Sequence, residues 1–213
     1  MKIGIIGSGN IGGNLGKHWA SAGYEVLFSS RHPEELKSLV KAAGNNSKAM
    51  STTDVFESNA DVYVLAIPFK AIDTIAELYA GEYADTVILD ATNPYPDRDG
   101  EMAEYVREAN YNASEYIAMK FGTSRTAKAF NTIQAQHLKD KAFKAEDQLA
   151  VPYAAQDEKS KSVTKQLIEA IGFDPVFIGD LTDTKVMDPE GELYGISVTR
   201  KELLKLLEKK RWY

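Results

Sequence analysis

Apolar residues in this chain fall into short dense runs, separated by segments where they recur every three or four positions. Ile3, Ile5 and Ile6 form the first run, with the density of a strand buried on both faces. Ile11, Leu15 and Trp19 follow at intervals of four, one face of a helix that stops at Ala22-Gly23. Tyr24 to Ser30 reads as a second strand. A helix from about Pro33 carries Leu36, Leu39, Val40 and Ala43 and ends at Gly44. Lys48 to Met50 predicts a short third strand, Thr53 to Ser58 a brief helix and Asp61 to Ile67 a fourth strand. Pro68 opens a helix with Ile72, Ile75, Ala76 and Tyr79 on one side. Thr86 to Asp90 is the fifth strand, and Ala91 to Pro96 its exit loop. Residues 94–101, crowded with Pro, Asp and Gly, are the most loop-like stretch. Ser114 to Gly122 reads as a helix and Ala127 to Thr132 as a sixth strand. A strand over Gln148 to Ala154, a helix over Ser160 to Ile171 and a strand over Pro175 to Ile178 come next. Lys201 to Lys209 closes the series as a short amphipathic helix with Leu203, Leu204, Leu206 and Leu207.

Strands alternating with helices imply βαβ units, and so a doubly wound, mainly parallel α/β sheet of the Rossmann type. The expected core order is 3-2-1-4-5-6, with the last two strands extending it to about eight. Residues 1–180 are read as one domain built on that sheet. Residues 181–213 are read as a short C-terminal loop and helix.

Chemistry enters at the turn after the first strand. Gly7, Gly9 and Gly12 stand at the G-x-G-x-x-G spacing of a dinucleotide-binding turn, with a strand before them and a helix after. In such a turn the first glycine permits the bend, the second lets backbone approach a pyrophosphate and the third lets helix meet strand. The end of the second strand sharpens the ligand. An NAD site places a carboxylate there for the ribose 2′-hydroxyl. This chain has Ser29, Ser30, Arg31 and His32 instead, and hydroxyls with a guanidinium suit a 2′-phosphate. NADP(H) is therefore expected over NAD(H).

Bulk composition narrows the rest. The 213 residues suffice for a substantial core without staples. With no cysteine there is no disulfide, thiolate metal site or cysteine nucleophile. A net charge of −6 argues against nucleic acid as the main partner. The longest apolar run, Val62 to Phe69, is too short to cross a bilayer, and the first strand begins at Lys2 with no leader before it. A cytoplasmic protein is expected, with no metal, a small-molecule hydride acceptor as partner and a homodimeric assembly as the common symmetric case.

Four pieces resemble a known family: Gly7-Ser8-Gly9-Asn10-Ile11-Gly12, Ser29-Ser30-Arg31, Ala66-Ile67-Pro68 and Lys128-Ala129-Phe130-Asn131-Thr132-Ile133. The chain resembles the coenzyme F420-dependent NADP oxidoreductases, typified by NADPH:F420 oxidoreductase. It is also similar to the cytosolic domain of the STEAP metalloreductases. The resemblance implies roles. Ser8, Asn10 and Ile11 would line the pyrophosphate. Ser30 and Arg31, with Ser29 and His32, would take the 2′-phosphate. Ile67 and Pro68 would border the adenosine ribose, and Asn93 and Pro94 would approach the nicotinamide. Asn131, Thr132 and Ile133 would line the place where the hydride acceptor stacks. It further implies direct hydride transfer to a flat ring, F420 or a flavin, with little acid–base help from protein. The segment after Gly179 is shorter than the helical end with which the family's F420 enzyme closes its acceptor site. This widens the choice of ring. Tyr95 and Tyr194 are candidates to stack on it.

Three rivals use the same residues differently. Tyr116 and Lys120 match the Tyr-x-x-x-Lys pair of short-chain dehydrogenases, in which the tyrosine donates a proton. That family's glycine turn has another spacing. A β-hydroxyacid or pyrroline-carboxylate type reductase shares the N-terminal design but needs a large helical domain not encoded here. A non-catalytic NADP(H)-binding sensor would need only the fold and the cofactor site. Of the three histidines, His137 lies nearest the sixth strand and is read as a surface residue.

Overall fold

The computed structural model describes residues 1–79, 86–108, 112–144, 146 and 148–208. Among these the elements run β1 (Lys2–Ile6), α1 (Asn10–Ser21), β2 (Glu25–Ser29), α2 (Lys37–Ala43), β3 (Ser47–Met50), α3 (Thr52–Glu57) and β4 (Val62–Leu65). Then come α4 (Ile72–Leu78), β5 (Val87–Asp90), α5 (Pro96–Asp99), α6 (Glu101–Glu108), α7 (Ala113–Phe121), β6 (Thr126–Lys128), α8 (Ala135–Lys141), β7 (Ala150–Ala155), α9 (Glu158–Ala170), β8 (Asp174–Gly179) and α10 (Arg200–Glu208). Short 3₁₀ segments precede α2 and α4, and another spans Leu181–Met187. The last expected helical residue, Lys209, lies outside the described residues.

The strands form one sheet in the order β3-β2-β1-β4-β5-β6-β7-β8. All neighbours are parallel except β6 and β7, which pair antiparallel through Ala127 with Ala155 and Lys128 with Ala154. The expected Rossmann core and its two-strand extension are both present. Strand direction alternates side chains between two cores. Ile3, Ile5, Val26, Phe28, Val62, Val64, Val87 and Leu89 point to one, where Leu15 and Trp19 of α1 and Leu167 and Ile168 of α9 cover them. Ile6, Leu27, Tyr63, Leu65 and Ile88 point to the other, covered by α3, α4 and α7. Both faces of the central strands are thus dry, which is why their sequence runs are unbroken. Gly16 lets α1 lie on β2, because a Cβ there would run into the Phe28 ring. A third cluster seats Met187, Leu193 and Leu203 of the C-terminal segment on Ala150 of β7 and Val176 of β8.

Two expectations change. The sixth strand ends at Lys128 rather than Thr132, because Phe130 has φ +66°, a left-handed conformation that no strand continues through. The buried Phe130 ring meets Trp19 edge to face at 5.7 Å, which holds the residue in that unfavourable conformation. Residues 94–101 are not all loop: Tyr95 leads into α5, and Glu101 begins α6. The Pro and Gly there are helix punctuation, Pro96 at the first helical position and Gly100 with φ +57° closing the turn. No described helix is long and apolar enough to cross a membrane.

Candidate active site

The sheet reverses its winding between β1 and β4, and the glycine turn sits at that point. Gly7 has φ +98°. A Cβ on it would stand 2.5 Å from the Ala66 carbonyl oxygen at the end of β4. A Cβ on Gly12 would overlap the Gly7 carbonyl oxygen, so turn and helix touch backbone to backbone. Gly9 differs: nothing lies within 4 Å of a Cβ built there. The open space is at the N-terminus of α1, where free N–H groups favour an anion. The glycine cradle therefore fits a dinucleotide pyrophosphate.

Beside the turn lies a cavity of about 490 Å³ lined by Gly7, Ser8, Ser29, Ser30, Arg31, Ile67 and Pro68. The sequence reading missed Thr52, Lys70 and Thr74 on the same wall. No carboxylate lines it among the described residues. Ser29 is buried and braces the turn: its hydroxyl accepts from Gly7 N at 3.2 Å, and its carbonyl accepts from Ser8 Oγ at 2.9 Å. Ser30 Oγ accepts from His32 N at 3.0 Å, shaping the loop that holds up Arg31. Arg31 is exposed and makes no ion pair among the described residues. His32 Nδ1 sits 3.4 Å from Glu34, and neither it nor the exposed Asn10 lines this cavity.

A second cleft, of about 310 Å³, is formed where β5 and β6 end. Asn131, Thr132 and Ile133, the acceptor candidates, line it together with Asn93, Phe130, the two stacking candidates Tyr95 and Tyr194, and Ile11, which was expected at the pyrophosphate instead. The left-handed turn at Phe130 is what diverts Asn131 from the strand. The two asparagines clasp each other. Asn131 Nδ2 donates to Asn93 Oδ1 at 2.9 Å, and Asn93 Nδ2 donates to the Asn131 carbonyl at 2.9 Å. Tyr95 and Tyr194 meet edge to face, with ring centroids 6.2 Å apart and hydroxyls 2.7 Å apart. They do not form a parallel platform. Burial pushes the Tyr95 phenol up to about 12, and the hydrogen bond to Tyr194 adds to that. No charged side chain lines this cleft among the described residues. Pro94 faces a neighbouring cavity of about 500 Å³, together with Arg107 and Asp188.

Tyr116 and Lys120 lie apart from both spaces. Tyr116 donates to Asp73 Oδ1 at 2.8 Å, and Lys120 Nζ is 3.2 Å from the same carboxylate. Burial raises the Tyr116 phenol pKa, as does its bond to Asp73. Its hydroxyl is committed to Asp73 and lines neither cavity, so it has no ligand to serve. His137 is half-buried rather than on the surface, with Nδ1 2.6 Å from Ser197 Oγ.

Residues 2–94 match the family NADP oxidoreductase, coenzyme F420-dependent. This is the family that the motifs resemble. The match takes in the glycine turn, Ser29 to Arg31 and Asn93, and stops short of Asn131. Among curated relatives, the chain is 28% identical over 199 residues to the F420-dependent NADP reductase of Methanothermobacter thermautotrophicus, covering 88% of this chain and 85% of the relative. It is 25% identical over 190 residues to metalloreductase STEAP3 of Rattus norvegicus, covering 88% of this chain but only 36% of that relative. The fold recurs in the crystal structure of a hypothetical protein from Sinorhizobium meliloti, with TM-score 0.81 and 24% identity, over 94% of this chain and 96% of that one.

Proposed function

We propose that this protein is an NADPH-dependent oxidoreductase that passes a hydride between NADP(H) and a flat ring acceptor, F420, a flavin or a similar molecule. One observation carries the reading. The glycine turn is followed by a cavity holding Ser30 and Arg31 and the ends of β5 and β6 form an aromatic cleft, with no carboxylate lining the first and no charged side chain lining the second among the described residues. The first suits a 2′-phosphorylated dinucleotide, and the second suits an uncharged conjugated ring.

In this reading Gly9 and the start of α1 hold the pyrophosphate, and Arg31 with Ser30 holds the 2′-phosphate. Lys70 stands on the same wall to add charge. Ile67 and Pro68 give the ribose an apolar border. When bound, the cofactor supplies the hydride, and the protein supplies orientation and a dry cleft. Asn131, Thr132 and Ile133 seat the acceptor, with Ile11 of α1 on the wall of the same cleft. We also propose a cytoplasmic protein that assembles as a homodimer; sedimentation of the purified chain checks the dimer.

The test is NADPH oxidation followed optically with F420, FMN, FAD, riboflavin and quinones as acceptors, with NADH in parallel. Turnover with a ring acceptor that prefers NADPH is expected. Tight NADPH binding without turnover on any acceptor would replace the reductase by a cofactor-binding sensor.

A further inference from the structure

Reducing a conjugated ring takes a proton as well as a hydride. The acceptor cleft has no charged side chain among the described residues lining it, so the proton must come from a hydroxyl or from solvent. Of the hydroxyls there, only those of Tyr95 and Tyr194 are acidic enough to serve.

Two backbone carbonyls fix which way the Asn93 amide meets the Tyr95 hydroxyl. Asn131 Nδ2 lies 2.7 Å from the Met187 carbonyl oxygen, which can only accept. This sets the Asn131 amide and aims its nitrogen at Asn93 Oδ1. Asn93 Nδ2 lies 2.9 Å from the Asn131 carbonyl, again only an acceptor, and so also donates to Tyr95 Oη at 3.2 Å. Neither amide can be flipped without setting a donor against a donor or an acceptor against an acceptor. One lone pair of Tyr95 Oη is thereby filled. The other faces Tyr194 Oη at 2.7 Å. Either tyrosine can be the donor of that bond; when Tyr194 donates, both neighbours of Tyr95 Oη give it hydrogens, and its own hydrogen is left free for a ligand in the cleft that Tyr95 lines.

We propose that Tyr95 is the proton donor of the acceptor cleft, aimed by Asn93 and resupplied by Tyr194. The acceptor it serves carries an imine-type nitrogen or a carbonyl oxygen conjugated to the ring atom that takes the hydride. The proposal rests on the reductase reading above. As the nicotinamide C–H bond breaks, its electron pair forms the new bond to hydrogen, at carbon in F420 and at nitrogen in a flavin, and a π pair moves onto the conjugated nitrogen or oxygen. The Tyr95 O–H bond breaks and its proton joins that atom. Tyr194, 37% exposed, returns a proton to the Tyr95 oxygenate and takes one from water. Two electrons leave the cofactor, two enter the acceptor and one proton is drawn from solvent. Burial keeps Tyr95 protonated at neutral pH, while the Asn93 amide and the Arg98 guanidinium, 4.7 Å over its ring, favour the oxygenate.

The test compares Tyr95→Phe and Tyr194→Phe with the wild-type chain, using F420 and FMN as acceptors. Tyr95→Phe is expected to slow single-turnover hydride transfer about 100-fold and Tyr194→Phe about tenfold or less, with NADPH affinity unchanged in both. A solvent deuterium isotope effect on that step is expected in the wild type and not in Tyr95→Phe. Fluorescence titration of the NADP⁺-loaded protein is expected to show about tenfold weaker ring binding in Tyr95→Phe, one hydrogen bond's worth. A Tyr95→Phe enzyme within twofold of wild type in rate and ring affinity overturns the donor and leaves the reductase intact. A wild-type protein that binds NADPH but neither binds nor reduces either ring overturns both.

Discussion

Lys128 Nζ lies 2.9 Å from Asp90 Oδ2, and neither side chain has any exposed surface. The pair ties the end of β6 to the end of β5. Asp188 Oδ1 approaches the same ammonium at 3.1 Å and brings in the C-terminal segment. Burial opposes the charge on Lys128, but Asp188 and Asp90 outweigh it and hold its pKa above the usual lysine range. Asp90 is further held by Ser114 Oγ at 2.6 Å and Thr92 N at 2.7 Å. Met187, whose carbonyl orients Asn131, is the residue just before Asp188. The ion cluster thus anchors the backbone that aims the acceptor cleft. Lys128→Met strands two buried carboxylates and is expected to cost about 3–5 kcal/mol in urea unfolding. A loss below about 1 kcal/mol would contradict this role.

Asp188 also sets a direction with pH. Burial pushes its carboxyl above the usual carboxylate range, and Asp90 adds to this while Lys128 opposes it. A raised folded pKa means the folded state binds that proton more tightly. The stability contributed is full below the unfolded value, near 3.8, and is lost as pH rises through the folded one. The amide in Asp188→Asn does not titrate. The stability of Asp188→Asn relative to wild type is therefore expected to improve as pH rises from about 4 through the raised folded pKa, and then to level off. Chemical denaturation at several pH values reads it, and a pH-independent difference would refute it.

The motif glycines separate by function. Gly12→Ala forces a methyl into the Gly7 carbonyl and within 2.9 Å of Ile5 Cγ2. A stability loss of about 1–3 kcal/mol is expected. Gly9→Ala meets nothing in the fold. Its weaker helix cap and its stiffer unfolded chain offset each other, so stability should hold within about 1 kcal/mol. The methyl would stand where the pyrophosphate is proposed, and NADPH affinity should fall at least tenfold. Equal NADPH affinity in Gly9→Ala and wild type would move the pyrophosphate elsewhere.

Arg31 makes no ion pair among the described residues, so its removal costs the fold little. Arg31→Ala is expected to weaken NADPH binding by about 1–3 kcal/mol and to leave NADH nearly unchanged, because one charge-assisted phosphate contact is lost. Calorimetric titration with both dinucleotides checks this. Equal losses for both would remove Arg31 from the 2′-phosphate.

The parallel core was legible because its signals are local. Val62 to Leu65 is buried on both faces, so every residue of that strand is apolar. The glycine turn is legible because Gly7 and Gly12 answer separate steric demands of the fold and Gly9 leaves open space, all within six residues. What escaped the sequence depends on distant partners. Lys128, Asp90 and Asp188 look like three unrelated charges until β5, β6 and the C-terminal segment meet. Ser29 looked like a ligand contact, yet its hydroxyl supports Gly7 across two strands. The sixth strand was read too long because hydrophobicity continues through Phe130, while its backbone φ carries no sequence mark. Helices α6 and α8 went unread because each is short: α6 buries only Ala103 and Val106, and α8 only Leu138.

Direct hydride transfer is tested most plainly by isotope. NADPH carrying deuterium at the transferable C4 position is mixed with the protein and F420, whose ring receives hydride on carbon and keeps it. Deuterium on that carbon, found by mass spectrometry and proton NMR, is the expected result. Reduced F420 without deuterium from either C4 face, or no reduction beyond the protein-free rate, would contradict a hydride passed directly across this site.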